Sequence, residues 1–403
     1  MAVFSRSRRA VLAGGAVVAL AGVAARSSAG RTPAAAAHAS TPAASEDGSS
    51  PAVAADGSTA GGGPADGGRM SDESVPHART FMAWPTRRIW GADTRRVRAD
   101  IARIARTIAD YEPVTLLAGP LEAAAARRAV GSRVHVLVQP VDDLWLRDTG
   151  PVFIDTDRGQ AGVDFHFNGW GGKQQHRRDS RVAAAVLRHT GVRRISAPLT
   201  AEGGSLEVDG RGTLLATESS LVNENRNPGK SRDRIERELK ALLGVSKVIW
   251  VEGLKGADIT DFHIDALARF ARPGTVVMSS PAEGAPDDKW RRAYQQARHI
   301  IERSTDAEGR KLRVVDIPEA DPGKAGVTSP DFLGSYVNYY VVNGAVILPR
   351  FGDTEADDRA AATVGELYPG RDIRQVDIGT LATGGGGIHC ATQQQPEQRA
   401  VAR

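Results

Sequence analysis

At 403 residues, with 41 % apolar and only 5 % aromatic side chains, the chain can bury a sizeable core in one large or two ordinary domains, which excludes bulk disorder and a fibrous protein. Its net charge of +4 is carried by Arg6, Arg8, Arg9 and Arg26 within residues 1–29, a stretch without a single acid, so the remainder is neutral and has no footprint for nucleic acid or acidic lipid. A single cysteine, Cys390, forbids an intrachain disulfide and leaves a thiol that needs another explanation.

The first 29 residues predict an export signal: Arg8 and Arg9, then an uncharged Ala/Val/Leu/Gly run too short to span a bilayer, then small residues at Ser27, Ser28 and Ala29. The paired arginines point to the twin-arginine route. Residues 30–69 are almost wholly Ala, Gly, Ser, Thr and Pro and predict a flexible linker. The folded part is expected over 70–403. Val97, Ile101, Ile104, Ile108 and Tyr111 recur at spacings of four and three, which predicts a helix within 95–111. Strands are expected at 114–118, 134–139, 151–155, 213–217, 247–251, 275–279, 313–317 and 345–349, with helices at 231–243 and 289–303. This alternation indicates an α/β or α+β architecture, and no residue repeat of fixed period accompanies it.

Four clusters set ionisable residues among glycines or beside apolar runs. They are Asp142 to Pro151; Glu202-Gly203-Gly204-Ser205; Asp258 to Asp265; and Gly384-Gly385-Gly386-Gly387-Ile388-His389-Cys390. A thiolate is the strongest nucleophile the chain offers, and glycines before it allow close backbone approach. Taken alone, each candidate has a plain structural explanation: a buried inert thiol at Cys390, a satisfied His263, an ion pair at Asp148, a turn cap at Glu202. Together, a thiol, a histidine and three carboxylates suit attack on a cationic planar carbon. A guanidinium needs carboxylates at its N–H edges, a nucleophile at its carbon and an acid/base to move protons.

These residues resemble the agmatine deiminases, within the guanidino-modifying enzymes that include bacterial-type peptidylarginine deiminases. The similar segments run in order from Phe81-Met82-Ala83-Trp84-Pro85 to Cys390-Ala391-Thr392-Gln393-Gln394. Between them lie Arg147-Asp148-Thr149-Gly150-Pro151, Phe167-Asn168-Gly169-Trp170-Gly171-Gly172, Glu202-Gly203-Gly204, Asn223 to Pro228, Phe262-His263-Ile264-Asp265 and Asn343 to Pro349. The resemblance implies a five-bladed pseudosymmetric α/β propeller, a guanidine deiminase domain over 70–403, and no cofactor or metal. It implies Cys390 as nucleophile, His263 as acid/base, Glu202 as the group that orients substrate and histidine, Asp148 and Asp265 as guanidinium clamps, and Trp84 in substrate binding. The implied partner is a small guanidine: agmatine first, with a peptidyl arginine as the alternative. Two departures stand out: Phe262 where the family often has glycine, and Arg88-Ile89-Trp90 where it often has Asp-Asn-Trp. Lesser alternatives are a non-catalytic extracellular binding module and a zinc hydrolase using Cys390, His389 and His263, although neither HExxH nor CxxC spacing occurs.

Overall fold

The computed structural model describes residues 68–398. The expected export signal and the linker up to residue 67 therefore lie outside the described residues. Arg69, assigned to the linker by composition, already belongs to the fold, because its backbone exchanges hydrogen bonds of 2.8 and 2.9 Å with Asp155.

In chain order the first elements are β1 (His77–Ala83), α1 (Thr94–Ile108), β2 (Val114–Ala118), α2 (Ala123–Val130) and β3 (Val134–Val138). Then come β4 (Val152–Thr156), β5 (Gly159–Asp164), α3 (Val182–Thr190) and β6 (Arg193–Ser196), followed by β7 (Glu207–Val208), β8 (Thr213–Thr217), α4 (Arg232–Leu243) and β9 (Lys247–Val251). Next are β10 (Ala268–Arg272), β11 (Thr275–Ser280), α5 (Lys289–Arg303) and β12 (Arg313–Pro318). The last are β13 (Tyr340–Val342), β14 (Ala345–Arg350), α6 (Thr354–Leu367), β15 (Asp372–Asp377) and β16 (Gln393–Pro396).

Five sheets result, four of three strands and one of four, with orders β4-β5-β6, β7-β8-β9, β10-β11-β12, β13-β14-β15 and β16-β1-β2-β3. Every sheet repeats one plan: an antiparallel inner pair, then a parallel partner reached through a helix. In the four-stranded blade β16 supplies the inner strand by pairing antiparallel with β1, so the last described strand closes the ring onto the first. This is the five-bladed α/β propeller, a symmetry of structure without a repeat of residue identity.

Local chemistry explains the elements. In α1, Val97, Ile101, Ile104 and Ile108 are fully buried along one stripe, each contributing about 1.5–3 kcal/mol relative to exposure. Ser231 caps α4 by accepting from Arg234 N–H, and Gly244 ends it in the left-handed region at φ 65°. Asp288 and Asp353 cap α5 and α6 in the same way. The strands β2, β8 and β9 coincide with the expected segments, whereas β16 reads Gln-Gln-Gln-Pro and is a strand only because β1 pairs with it.

Candidate active site

Each blade begins with a short turn just ahead of its inner strand, and those turns carry the site. Asp148 lies on the turn Leu146–Thr149 before β4, and Glu202 precedes the turn Gly203–Ser205 before β7. His263 and Asp265 flank and enter the turn Ile264–Ala266 before β10, and Cys390 stands three residues before β16. Gly204 shows how tightly they converge: a Cβ there would lie 2.7 Å from His263 Nδ1, 2.9 Å from Asp148 Oδ1 and 3.1 Å from Asp265 Oδ2. Only glycine fits at that point. Its N–H also donates to Asp148 Oδ1 at 3.1 Å, while Trp170 Nε1 donates to Asp148 Oδ2 at 3.0 Å. Trp170 reaches this position from a left-handed backbone at φ 54°, held by Asn168, whose side chain accepts from Gly171 N–H.

His263 is buried between two carboxylates, with Glu202 Oε2 3.2 Å from Nε2 and Asp148 Oδ1 3.7 Å from Nδ1. Burial disfavours its charged form, but the charge of Asp148 and the hydrogen bond with Glu202 outweigh it and raise its pKa to about 9. For Asp148, burial dominates; with the charges of Asp265 and Glu202 added, it prevails over the pull of His263 and lifts the carboxyl to about 6. Glu202 is also buried, yet Arg226 and His263 together hold it below its ordinary value. The Nε of Arg226 donates to Glu202 Oε1 at 2.8 Å, and its Nη1 pairs with Asp261. Asp261 and Phe262 both have positive φ, 61° and 73°, a strained pair of non-glycine residues directly before His263. Thr217 Oγ1 donates to the Phe262 carbonyl and Ser219 Oγ to that of Asp261, so β8 and the turn after it fix the strained bend. The Phe262 ring packs on Trp290 of α5 with centroids 5.5 Å apart, which directs its bulk into the outer core of that blade.

On the other side of the cluster, Asp265 Oδ2 is 3.5 Å from Cys390 Sγ and accepts from His389 Nδ1 at 2.7 Å. Its Oδ1 is buried and has no hydrogen-bond partner among the described residues. Such an orphaned carboxylate oxygen calls for a donor from a bound molecule. Burial would raise Asp265, but the hydrogen bond and charge of His389 keep it below the ordinary carboxylate range. Cys390 is half-buried; burial pushes its thiol well above the ordinary value, and the charges of Asp265 and Asp148 push it further. Behind this pair, His389 Nε2 lies 3.0 Å from Glu73 Oε2. Glu73 in turn binds Arg147 Nη2 at 2.9 Å, Arg269 Nη2 at 3.0 Å and Val341 N–H at 2.8 Å.

The fold thus brings Cys390, His263, Glu202, Asp148 and Asp265 together. Trp84 is placed elsewhere: its ring sits 5.4 Å from the Arg98 guanidinium and lines a groove of about 520 Å³ with Arg87, Arg95 and Arg98 on the helical side of its blade. The departure at Arg88-Ile89-Trp90 lies one tilted ring pair from the glycine run, since Trp90 packs on Trp145 with centroids 6.1 Å apart, and Trp145 occupies the space a Cβ of Gly386 would need. Cys390, His389 and His263, weighed as zinc ligands, are not arranged as one, because among the described residues no group of three His, Cys, Asp or Glu is set to hold a metal ion. Likewise, among the described residues no helix is long and apolar enough to cross a membrane. Sequence reasoning gave no role to Arg226 or Trp170, although both stand in the quoted segments, and it passed over Glu73 and Asn338. The signal that marks Asn338 is its place in the run Tyr336-Val337-Asn338-Tyr339-Tyr340-Val341-Val342, where a lone amide interrupts apolar and aromatic residues.

Residues 69–396 match the family model described as Porphyromonas-type peptidyl-arginine deiminase. The chain is 40 % identical over 356 residues to the agmatine deiminase of Stutzerimonas stutzeri, covering 82 % of this chain and 96 % of that protein. It is 38 % identical to the agmatine deiminase of Pseudomonas aeruginosa, covering 83 % and 97 %. Among solved structures, the agmatine deiminase of Enterococcus faecalis superposes with a TM-score of 0.75 at 30 % identity, covering 82 % of this chain and 96 % of that one. With the site residues converging as that resemblance implies, the chain belongs to the agmatine deiminase family, the hydrolases of guanidino C–N bonds grouped with the Porphyromonas-type peptidyl-arginine deiminases.

Proposed function

We propose that this protein hydrolyses agmatine to N-carbamoylputrescine and ammonia through a covalent thiouronium on Cys390. The observation that carries the reading is a pair of buried carboxylates, Asp148 and Asp265, meeting beside a thiol, with Asp265 Oδ1 unpartnered among the described residues. Near neutral pH, Asp148 is ionised and His263 protonated, given values of about 6 and about 9. A guanidinium binds edge-on to the two carboxylates, and its charge offsets those that hold the thiol protonated, so Cys390 releases its proton to solvent as substrate enters.

Thiolate attack on the guanidinium carbon gives a neutral tetrahedral adduct. His263 donates a proton to one amino group, ammonia leaves, and the C–S bond remains in a cationic thiouronium. Neutral His263 then takes a proton from water as its oxygen bonds to carbon. The adduct collapses with loss of the hydroxyl proton to solvent, the C–S bond breaks, and the ureido product departs from the restored thiolate. Glu202, held by Arg226, keeps the imidazole aligned through both halves.

Export of the folded, disulfide-free protein by the twin-arginine route is the second part of this reading, supported by the sequence of residues 1–29. Arg8→Lys with Arg9→Lys is expected to strand full-length protein in the cytoplasm. For the chemistry, purified protein is incubated with agmatine, free arginine and a peptide containing internal arginine, and ureido product and ammonia are measured. Agmatine is expected to give the highest kcat/KM; a peptide that outcompetes it would favour a peptidylarginine deiminase. Cys390→Ser is expected to abolish turnover, and acid-quenched wild type to carry substrate mass on Cys390. Persistent activity in Cys390→Ser would remove the mechanism.

A further inference from the structure

Four blades deliver a reacting or binding group from the turn ahead of the inner strand, and the fifth, ahead of β13, delivers Asn338, which is fully buried. Its side-chain nitrogen lies 3.3 Å from Cys390 Sγ. Two backbone groups of unambiguous polarity fix the orientation of the amide. The Cys390 N–H, 3.3 Å from Oδ1, can only donate; the Asp265 carbonyl, 3.3 Å from Nδ2, can only accept. The sulfur therefore faces an N–H. The Asn338 carbonyl also accepts from His389 N–H at 3.1 Å, so the residue holds two successive N–H groups of the loop, those of His389 and Cys390. A Cβ on Gly387 would stand 2.6 Å from Asn338 Oδ1, which explains why the last glycine of the run precedes Ile388.

Two neighbours of Sγ then act in opposite senses. Asp265 Oδ2, at 3.5 Å, accepts from an S–H and favours the thiol, as does the nearby charge of Asp148. An amide N–H donor favours the thiolate and adds no charge that would compete with a cationic substrate. Across the cluster stand His263 and Glu202, and Arg147 N–H donates to the Cys390 carbonyl at 3.2 Å. We propose that Asn338 is a catalytic residue, its amide N–H stabilising the Cys390 thiolate during attack on the guanidinium carbon and again when the sulfur leaves. The inference rests on the deiminase reading for its chemistry, but the contact can be tested without turnover.

The test compares wild type with Asn338→Ala, Asn338→Asp and Asn338→Ser, following alkylation of Cys390 by iodoacetamide as a function of pH, with melting curves to verify folding. In Asn338→Ala the alkylation rate at neutral pH is expected to fall about 10- to 100-fold, the range set by loss of a hydrogen bond to a charged group. Asn338→Asp should fall further, since it keeps the shape but turns an oxygen toward the sulfur. Asn338→Ser, which retains a donor, should recover part of the loss, and kcat for agmatine should follow the same order while KM moves less. Superimposable alkylation profiles in folded variants, or an Asn338→Asp no slower than Asn338→Ala, would overturn the proposal. If Asn338→Ala melts below the assay temperature, the ordering of Asn338→Ser over Asn338→Asp decides it. A wild type that forms no ureido product from any guanidine would defeat the deiminase reading, while the alkylation profiles would still decide the role of Asn338.

Discussion

Two histidines sit within the same cluster, each buried between two carboxylates, and they are built for different work. His389 has both nitrogens at bonding distance, 2.7 Å from Asp265 and 3.0 Å from Glu73, and Glu73 is itself anchored by Arg147, Arg269 and Val341 N–H. His263 is held more loosely, 3.2 Å from Glu202 and 3.7 Å from Asp148, and a strained bend at Asp261 and Phe262 aims it at the centre. Exposure does not separate them, at 2 % and 4 %. Their surroundings do. A ring saturated by short contacts to anchored partners fixes geometry, whereas a ring with one long contact to a carboxylate that titrates near neutrality can exchange a proton.

The sharpest way to break this contrast is His263→Ala. Loss of a general acid/base costs on the order of 10²- to 10⁴-fold in kcat. Mass spectrometry of quenched protein should then show the thiouronium accumulating on Cys390, because its hydrolysis depends most on the missing base. For wild type, kcat/KM should rise as pH passes about 6, where Asp148 ionises, and fall as pH passes about 9, where His263 loses its proton. The two groups are coupled, so these limbs belong to the pair. Stability follows the same values. His263, raised from 6.5 to about 9, stabilises the fold fully below about 6.5 and loses that contribution as pH rises through about 9. Asp148, raised from 3.8 to about 6, has the opposite character for a carboxylate: ionising it costs stability as pH climbs from about 3.8 to about 6. A wild-type profile that is flat above pH 8, or a His263→Ala enzyme with unchanged turnover, would erase the distinction between the two histidines.

His389→Gln sharpens the contrast from the other side. Without the imidazole, Asp265 loses its 2.7 Å partner and is free to rotate away from the position in which Oδ1 awaits a donor. Steady-state kinetics should show KM for agmatine rising about tenfold with a smaller change in kcat, and the pH limbs near 6 and 9 should persist, because His263 keeps its own partners. A loss confined to kcat, or an upper limb displaced as in a His263 variant, would mean that His389 also moves protons.

Much of this arrangement was legible in the sequence, for identifiable reasons. Strands such as Thr213–Thr217 and Lys247–Val251 are apolar enough to declare themselves, and the regular spacing of Val97, Ile101 and Ile104 does the same for α1. The glycines at 203–204 and 386–387 mark close approach, and structure supplies the reason: Arg147, His263, Trp145 and Asn338 occupy the space their side chains would need. What remained hidden depends on distant pairing. The polar strand Gln393–Pro396 carries no strand signal of its own and exists through β1, and Glu73 lies 316 positions from the His389 it supports. The environment of Trp84 was hidden for a related reason, since proximity to a resembling motif says nothing about the direction in which a ring emerges; here it meets Arg98.

The smallest expected effect belongs to Phe262→Gly, which separates the strained bend from the ring it carries. At φ 73° a phenylalanine costs about 1–2 kcal/mol relative to a residue without Cβ, so glycine relieves strain. Against that stand the greater chain entropy glycine loses on folding, about 0.5–1 kcal/mol, the aromatic pairing with Trp290, about 0.5–1.5 kcal/mol, and the apolar area that the half-buried ring keeps from water, about 1–2 kcal/mol. The losses outweigh the relief, and the melting temperature is expected to fall by a few degrees. Specificity should move less still. The ring packs among the side chains of α5, while the backbone that aims His263 stays fixed by Thr217 and Ser219 through carbonyls that glycine retains. The ranking of agmatine, arginine and peptidyl arginine by kcat/KM should therefore be the same in Phe262→Gly as in wild type. A reversal of that ranking would mean that residue 262 reaches the substrate, and that the bend before His263 selects guanidines as well as positioning the acid/base.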